Sequence, residues 1–132
     1  MNDNIKKDKE LSAELYRVAR EKATEAPFTG TYVETHDEGM YTCAICGNEL
    51  FSSDTKFDSG TGWPSFTDPE NLTHIELKED ASHGMKRIEV VCKNCGAHLG
   101  HVFDDGPQDK GGKRYCINSV CLALKKKDTE KE

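Results

Sequence analysis

Six cysteines carry most of the reactive chemistry in this chain, and four of them fall into two copies of one pattern, Cys43-Ala44-Ile45-Cys46-Gly47 and Cys92-Lys93-Asn94-Cys95-Gly96. A Cys-x-x-Cys turn puts two sulfurs on one side of the backbone, and two such turns supply the four-thiolate tetrahedron that Zn²⁺ favours. A glycine after each second cysteine takes the left-handed backbone that closes the knuckle. Two other readings compete. A thioredoxin-like redox pair normally occurs once, opening a helix after a strand. A disulfide framework goes with export, whereas the start, Met1 to Glu10, is charged and has no apolar core. The spacing therefore predicts a structural Zn²⁺ held by Cys43, Cys46, Cys92 and Cys95 in a cytoplasmic protein, with iron or a redox pair as alternatives. One ion would clip two distant segments and remove loop-closure entropy from the unfolded chain.

Cys116 and Cys121 are left over. If 113–124 is a strand, Arg114, Cys116 and Asn118 project to one face while Tyr115, Ile117, Ser119 and Cys121 project to the other. An arginine beside a thiol favours the thiolate, and an asparagine offers both a donor and an acceptor to whatever approaches the sulfur. These are a nucleophile's neighbours. A free cysteine is most often a small buried hydrophobe, which suits Cys121, next to Leu122 and Leu124, better than Cys116. Just after the second knuckle, His98 and His101 lie in Ala97-His98-Leu99-Gly100-His101-Val102-Phe103-Asp104-Asp105. With four thiolates already completing a zinc shell, the histidines suit acid–base work.

The elements that must position these groups are short. At 132 residues the length predicts one domain, with expected bounds 11–124 between a flexible N-terminus, 1–10, and a flexible charged tail, 125–132. Leu11, Leu15, Val18 and Ala19 recur at helical spacing, and Pro27 requires that helix to have ended. From Thr29 onward, β-branched and aromatic residues predict mostly antiparallel strands at 31–33, 41–42, 75–77, 88–91, 102–103 and 114–124. The stretch 54–69 reads as a long loop, yet its Phe57, Trp63 and Phe66 must pack over something. No apolar run approaches a membrane span. The net charge of −6 argues against nucleic acid, since the one dense basic run, Lys125-Lys126-Lys127, is followed at once by Asp128, Glu130 and Glu132.

From Glu25 to Leu124 the chain resembles the B-type, zinc-containing methionine-R-sulfoxide reductases. The resemblance is carried by Lys56-Phe57-Asp58-Ser59-Gly60-Thr61-Gly62-Trp63-Pro64-Ser65-Phe66, both knuckles, His98 to Pro107, and Arg114-Tyr115-Cys116-Ile117-Asn118-Ser119. It implies a mainly β fold of two antiparallel sheets, clipped by the four-cysteine zinc site at a distance from the catalytic centre, with a short N-terminal helix. It implies that Cys116 attacks the sulfur of methionine sulfoxide, free or in oxidised proteins, and becomes a sulfenic acid. Arg114 would support the thiolate. His101 and Asn118, with His98 and Asp105 behind them, would position water or supply the proton that the oxygen needs. Trp63 and Phe103 would bind substrate, with the Trp63 face against the sulfoxide methyl. The R-epimer selectivity comes with the resemblance.

In one respect the chain departs from that family. Many members carry a second cysteine in the loop before the tryptophan, where Thr61 stands here and cannot form a disulfide. Cys121 is the remaining candidate to resolve the sulfenic acid, but five residues of strand span roughly 17 Å and a disulfide needs Cα atoms about 4.4 to 6.8 Å apart. Resolution by Cys121 would need a bend at 118–120 or local unfolding, so the expected reductant is an external thiol, thioredoxin-like or of low molecular weight. A different class, a non-catalytic zinc-clipped β module that binds a small ligand or protein, is the alternative. Cys116 with Arg114 and Asn118 discriminates against it, because a binding module has no use for a nucleophile there.

Overall fold

Ser12 opens the first regular element: its hydroxyl accepts the Leu15 N–H at 3.1 Å and caps helix α1, Ala13–Ala19. The computed structural model describes residues 8–33, 35, 37–57, 59–69, 72–81 and 87–126. Most of the two expected flexible ends, 1–7 and 127–132, and Asp58 of the loop motif lie outside the described residues. Helix α1 buries Leu15, Val18 and Ala19, three of the four positions that predicted it, and Leu11 packs beside them half-buried.

The strands follow as β1, Gly39–Cys43; β2, Glu49–Ser52; β3, Lys56–Phe57; β4, Ser65–Phe66; β5, Ile75–Asp80; β6, Arg87–Cys92; β7, His98–Phe103; β8, Arg114–Ile117; and β9, Leu122–Lys126. They make two antiparallel sheets, ordered β2-β1-β9 and β3-β4-β8-β7-β6-β5. The mainly β expectation therefore holds, and β9 runs two residues past the expected domain end at Leu124. Aromatic rings join the sheets: Phe66 of β4 stacks on Phe51 of β2 at 4.5 Å and meets Tyr41 of β1 edge-on at 5.3 Å. All three rings are fully buried, the two phenylalanines each worth about 1.5–3 kcal/mol against exposure.

Three local expectations change. Residues 31–33 form a turn instead of a strand, because side chains pin them in place of a ladder: the Tyr32 N–H donates to Ser119 Oγ, and the Tyr32 hydroxyl accepts the Leu124 N–H. The loop 54–69 contains β3 and β4, which carry the large sheet's ladder onto its edge, and its Phe66 is core.

The run 114–124 is not one strand. It leaves the large sheet after Ile117, makes a 3-10 turn over Ser119–Cys121, and enters the small sheet as β9. The break falls at Asn118-Ser119, both turn formers. The buried carboxylate of Glu25 sustains it by accepting the N–H groups of Ser119 and Val120 at 2.9 and 3.0 Å.

Candidate active site

The two knuckles sit at hairpin ends of different sheets, Cys43 and Cys46 between β1 and β2, Cys92 and Cys95 between β6 and β7. Their turns are built alike. The Gly47 N–H closes on the Cys43 carbonyl and the Gly96 N–H on the Cys92 carbonyl, both at 2.8 Å, with φ of 80° and 79°. The four Sγ atoms lie within 4.8 Å of one another, with Cys43 to Cys95 and Cys46 to Cys92 both at 3.6 Å. Thiolates at about 2.3 Å from a tetrahedral zinc lie about 3.8 Å apart, so the cluster could hold a zinc. Asn48 Nδ2 donates to Cys92 Sγ at 3.6 Å from outside the cluster. Hydrogen bonding to Cys46, Cys92 and Cys95 raises the Cys43 thiol, while hydrogen bonding to Cys43, Cys46 and Cys95 lowers that of Cys92, as expected of sulfurs crowded enough to share a cation.

Cys116 lies elsewhere, on β8 in the large sheet, between Ser65 of β4 and His101 of β7 in the ladders. It opens into a cleft of about 240 Å³ shared with Trp63, His101, Phe103, Arg114 and Asn118. Six of the expected site residues therefore line one cavity. The alternation argument holds through Ile117: Tyr115 and Ile117 are buried, Arg114 and Cys116 half-buried toward the cleft. Gly100 makes this approach possible, since a Cβ there would fall 2.0 Å from the Cys116 carbonyl oxygen.

Burial pushes the Cys116 thiol above its ordinary value, and Arg114 offsets this only in part. The sequence expectation of a lowered thiol is thus half right: the arginine acts in the expected direction, but desolvation outweighs it. Arg114 is itself held by Asp105, Nε to Oδ1 at 2.8 Å and Nη2 to Oδ2 at 3.2 Å, and lies 4.6 Å from the Phe103 ring centre. Asp105 stays outside the cleft, and its hydrogen bond from Arg114 depresses its carboxyl.

His98 and His101 are three apart on a strand, a spacing that sends side chains to opposite faces of a regular ladder. A bulge restores them to one side: Val90 pairs with Gly100 but Val91 with His98, leaving Leu99 unpaired. The rings meet edge-on at 5.3 Å. His101 reaches the cleft and binds Asp80 through Nε2 at 2.8 Å. His98 stays behind it, buried, with Nδ1 on Glu89 Oε2 at 2.7 Å and Nε2 without a hydrogen-bond partner among the described residues. Burial lowers the His98 pKa despite Glu89, so at neutral pH the ring donates Nδ1–H to Glu89 and keeps its lone pair on Nε2.

Asn118 is more committed than its sequence position suggested. Its Oδ1 accepts the Glu25 N–H at 3.0 Å, while Nδ2 and the backbone N–H both bind the carbonyl of the bulged Leu99. One side-chain N–H remains for the cleft. Cys121 does not line the cleft; it is buried, donates to the His98 carbonyl at 3.4 Å, and has its thiol raised by burial. The bend at 118–120 exists, but it turns the chain into the other sheet and Cys121 into the core.

Thr61 lines the cleft with Cys116, and its hydroxyl is 2.8 Å from that of Ser59, which in turn is 2.8 Å from Ser65 Oγ. Sequence reasoning missed Arg87, which adds a second guanidinium to the cleft and reaches Asp80 at 3.7 Å. Nothing local distinguished it from a surface arginine on a strand. Apolar Trp63 and Phe103 beside two guanidiniums, a histidine and a thiol suit a ligand with a small apolar group next to a polarised oxygen and an electrophilic sulfur.

Comparison with known proteins agrees with this chemistry. A family model described as the SelR domain matches residues 11–126. The chain is 59% identical over 123 residues to the peptide methionine sulfoxide reductase MsrB of Methanosarcina mazei, covering 92% of this chain and 87% of that protein. It is 58% identical over 124 residues to the Methanosarcina barkeri protein of the same name, covering 94% and 87%. With that of Acinetobacter baylyi it shares 59% over 117 residues, covering 89% and 84%.

Proposed function

The chain belongs to the SelR-domain family of peptide methionine sulfoxide reductases, and from that premise we propose that it reduces the R epimer of methionine sulfoxide, free or in oxidised proteins, at Cys116. The single observation that carries the assignment is the Cys116 thiol opening into a cleft with Trp63, Phe103, His101 and Arg114.

The Cys116 thiolate donates an electron pair to the sulfoxide sulfur and forms an S–S bond as the oxygen takes a proton. The hydroxyl then passes from the substrate sulfur to the Cys116 sulfur as the S–S bond breaks and its electron pair returns to the methionine sulfur. Methionine thus leaves reduced, and Cys116 becomes a sulfenic acid. Arg114 stabilises the thiolate. In the cleft the free Asn118 N–H hydrogen-bonds the departing oxygen and His101 supplies its proton, directly or through water. Asp105 orients Arg114, and Glu89 with His98 backs the His101 ring. Trp63 and Phe103 take the methyl group, and a methyl pocket set against oxygen donors accepts one hand of a chiral sulfoxide.

Recycling uses an external thiol, thioredoxin-like or small. It condenses with the sulfenic acid to release water and leave a mixed disulfide, which a second thiol reduces. Thr61 in the cleft and Cys121 in the core support this. Cys43, Cys46, Cys92 and Cys95 would hold a structural Zn²⁺ that joins the two sheets, and none of the four lines the Cys116 cleft. Among the described residues no helix is long and apolar enough to cross a membrane. The acidic balance fits an enzyme with no nucleic-acid partner.

A turnover assay on separated R and S sulfoxides, free and peptide-bound, with thioredoxin or dithiothreitol as donor, tests the assignment. Reduction of R alone is the expected result; equal rates on both epimers, or none on either, would overturn it.

A further inference from the structure

We propose that Glu25, which lines no part of the cleft, is the positioning residue that fixes Trp63 and Asn118 around Cys116. The inference rests on Cys116 as the nucleophile. Glu25 spends all of its hydrogen-bonding groups on the active-site frame. Its backbone N–H donates to Asn118 Oδ1 at 3.0 Å, and its backbone carbonyl accepts Trp63 Nε1–H at 3.0 Å. Its two carboxylate oxygens accept the N–H groups of Ser119 and Val120, so they also hold the turn that ends β8 directly after Asn118. One residue thus ties the loop carrying the indole to the strand end carrying the amide.

The neighbourhood is built around that tie. Glu25 is 3% exposed, and a Cβ at Gly30 would fall 2.4 Å from its Oε2 and 2.3 Å from Ser119 Oγ, so the following turn packs directly over the carboxylate. Phe28, held at φ 66°, donates its N–H to the Gly62 carbonyl at 2.8 Å, a second strap onto the loop before Trp63. Asn118 in turn grips Leu99, the bulge that turns His98 and His101 to one side. A shift at Glu25 therefore reaches the indole, the amide and the cleft histidine together. Burying a carboxylate is costly unless its oxygens are satisfied, which makes so expensive a residue hard to explain as mere packing.

The test uses the full zinc-loaded protein and Glu25→Gln, whose amide places a donor where one oxygen accepted. Misplacement on the order of 1 Å can cost 10²-fold, so kcat/KM should fall by about 10- to 100-fold. Trp63 is the chain's one tryptophan, so its emission reads the indole clamp directly and should shift to the red. The charge of Glu25 also opposes ionisation of Cys116, so its removal should move the pH profile of Cys116 alkylation, followed by peptide mass spectrometry, to lower pH. Falling turnover with a more reactive thiol separates positioning from nucleophile activation.

Val18→Ala, a core truncation that lines no part of the cleft, controls for stability and should keep kcat/KM within about twofold at a similar loss of Tm. Should Glu25→Gln not fold, Glu25→Asp and Gly30→Ala disturb the same contacts with the charge retained, and are read by kcat/KM and emission. Unchanged kcat/KM and emission in the Glu25 variants, or an equal loss in Val18→Ala, would overturn the proposal. A wild-type protein without turnover would instead sink the reading of Cys116, because emission reports the clamp without catalysis.

Discussion

The four-cysteine cluster and the Cys116 cleft use the same side chain to opposite ends, and their neighbours make the difference. In the cluster each thiol has the other three within 4.8 Å, at separations as short as 3.6 Å, and the set asks for a cation. In the cleft the thiol stands alone beside a guanidinium, imidazole and aromatic rings, and the space is left for a ligand. The cluster joins two sheets, whereas Cys116 sits within one. Damage to the first should therefore appear as lost fold, and damage to the second as lost chemistry.

The largest expected effect is on the cluster. Stripping metal with a chelator, or Cys43→Ser, should cost on the order of 10 kcal/mol, comparable to the whole stability of such a domain. Thermal melting with metal analysis checks this; a metal-free variant melting with the wild type would erase the contrast. Next comes Cys116→Ser, which should lower turnover by at least about 10³-fold while metal content and melting stay near wild type. Retained activity would move the nucleophile elsewhere.

Arg114→Ala should be milder, about 10²-fold in kcat/KM, and carries a pH signature. Burial holds the Cys116 thiol up, so its alkylation rate should climb with pH past the point for an exposed cysteine, about 8.5. Removing the cation that favours the thiolate should push that curve higher still. A shift to lower pH would reverse the role given to Arg114.

Cys121→Ala should change least, keeping thiol-dependent recycling within about twofold. Mass spectrometry after one turnover should find no Cys116–Cys121 disulfide, and a high yield of it would restore Cys121 as the resolving thiol. The same variant sharpens the view of Cys121 as core. Its raised pKa means that the folded chain keeps a proton the unfolded chain releases above about pH 8.5. Stability is lost as pH rises through that range, and Cys121→Ala should flatten the loss.

Much of the site was legible because its chemistry is written in short motifs. The knuckles and the face shared by Arg114 and Cys116 follow from spacing and periods that the backbone enforces locally, while the places of Trp63 and Phe103 came with the family resemblance. What went unread depends on contacts between distant residues. The bulge at Leu99 inverts the parity of a strand, so His101 and His98 share a side that their spacing forbids. The end of β8 was foreshadowed by Asn118-Ser119, but the change of sheet needs the Glu25 carboxylate, 94 residues from Ser119. Arg87 entered the cleft unannounced, since a strand arginine with one acidic neighbour looks like any solvated pair.

By itself, the sequence determined which cysteines are alike, that the fold is β-rich with one opening helix, and that Thr61 removes one partner for Cys116. Those properties live in residue type and short-range geometry. Only the tertiary structure decided that the chain changes sheet after Ile117, that burial outweighs Arg114 at the Cys116 thiol, and that Glu25 braces the cleft. Desolvation and long-range hydrogen bonds depend on what the folded chain brings together, and no local pattern records that.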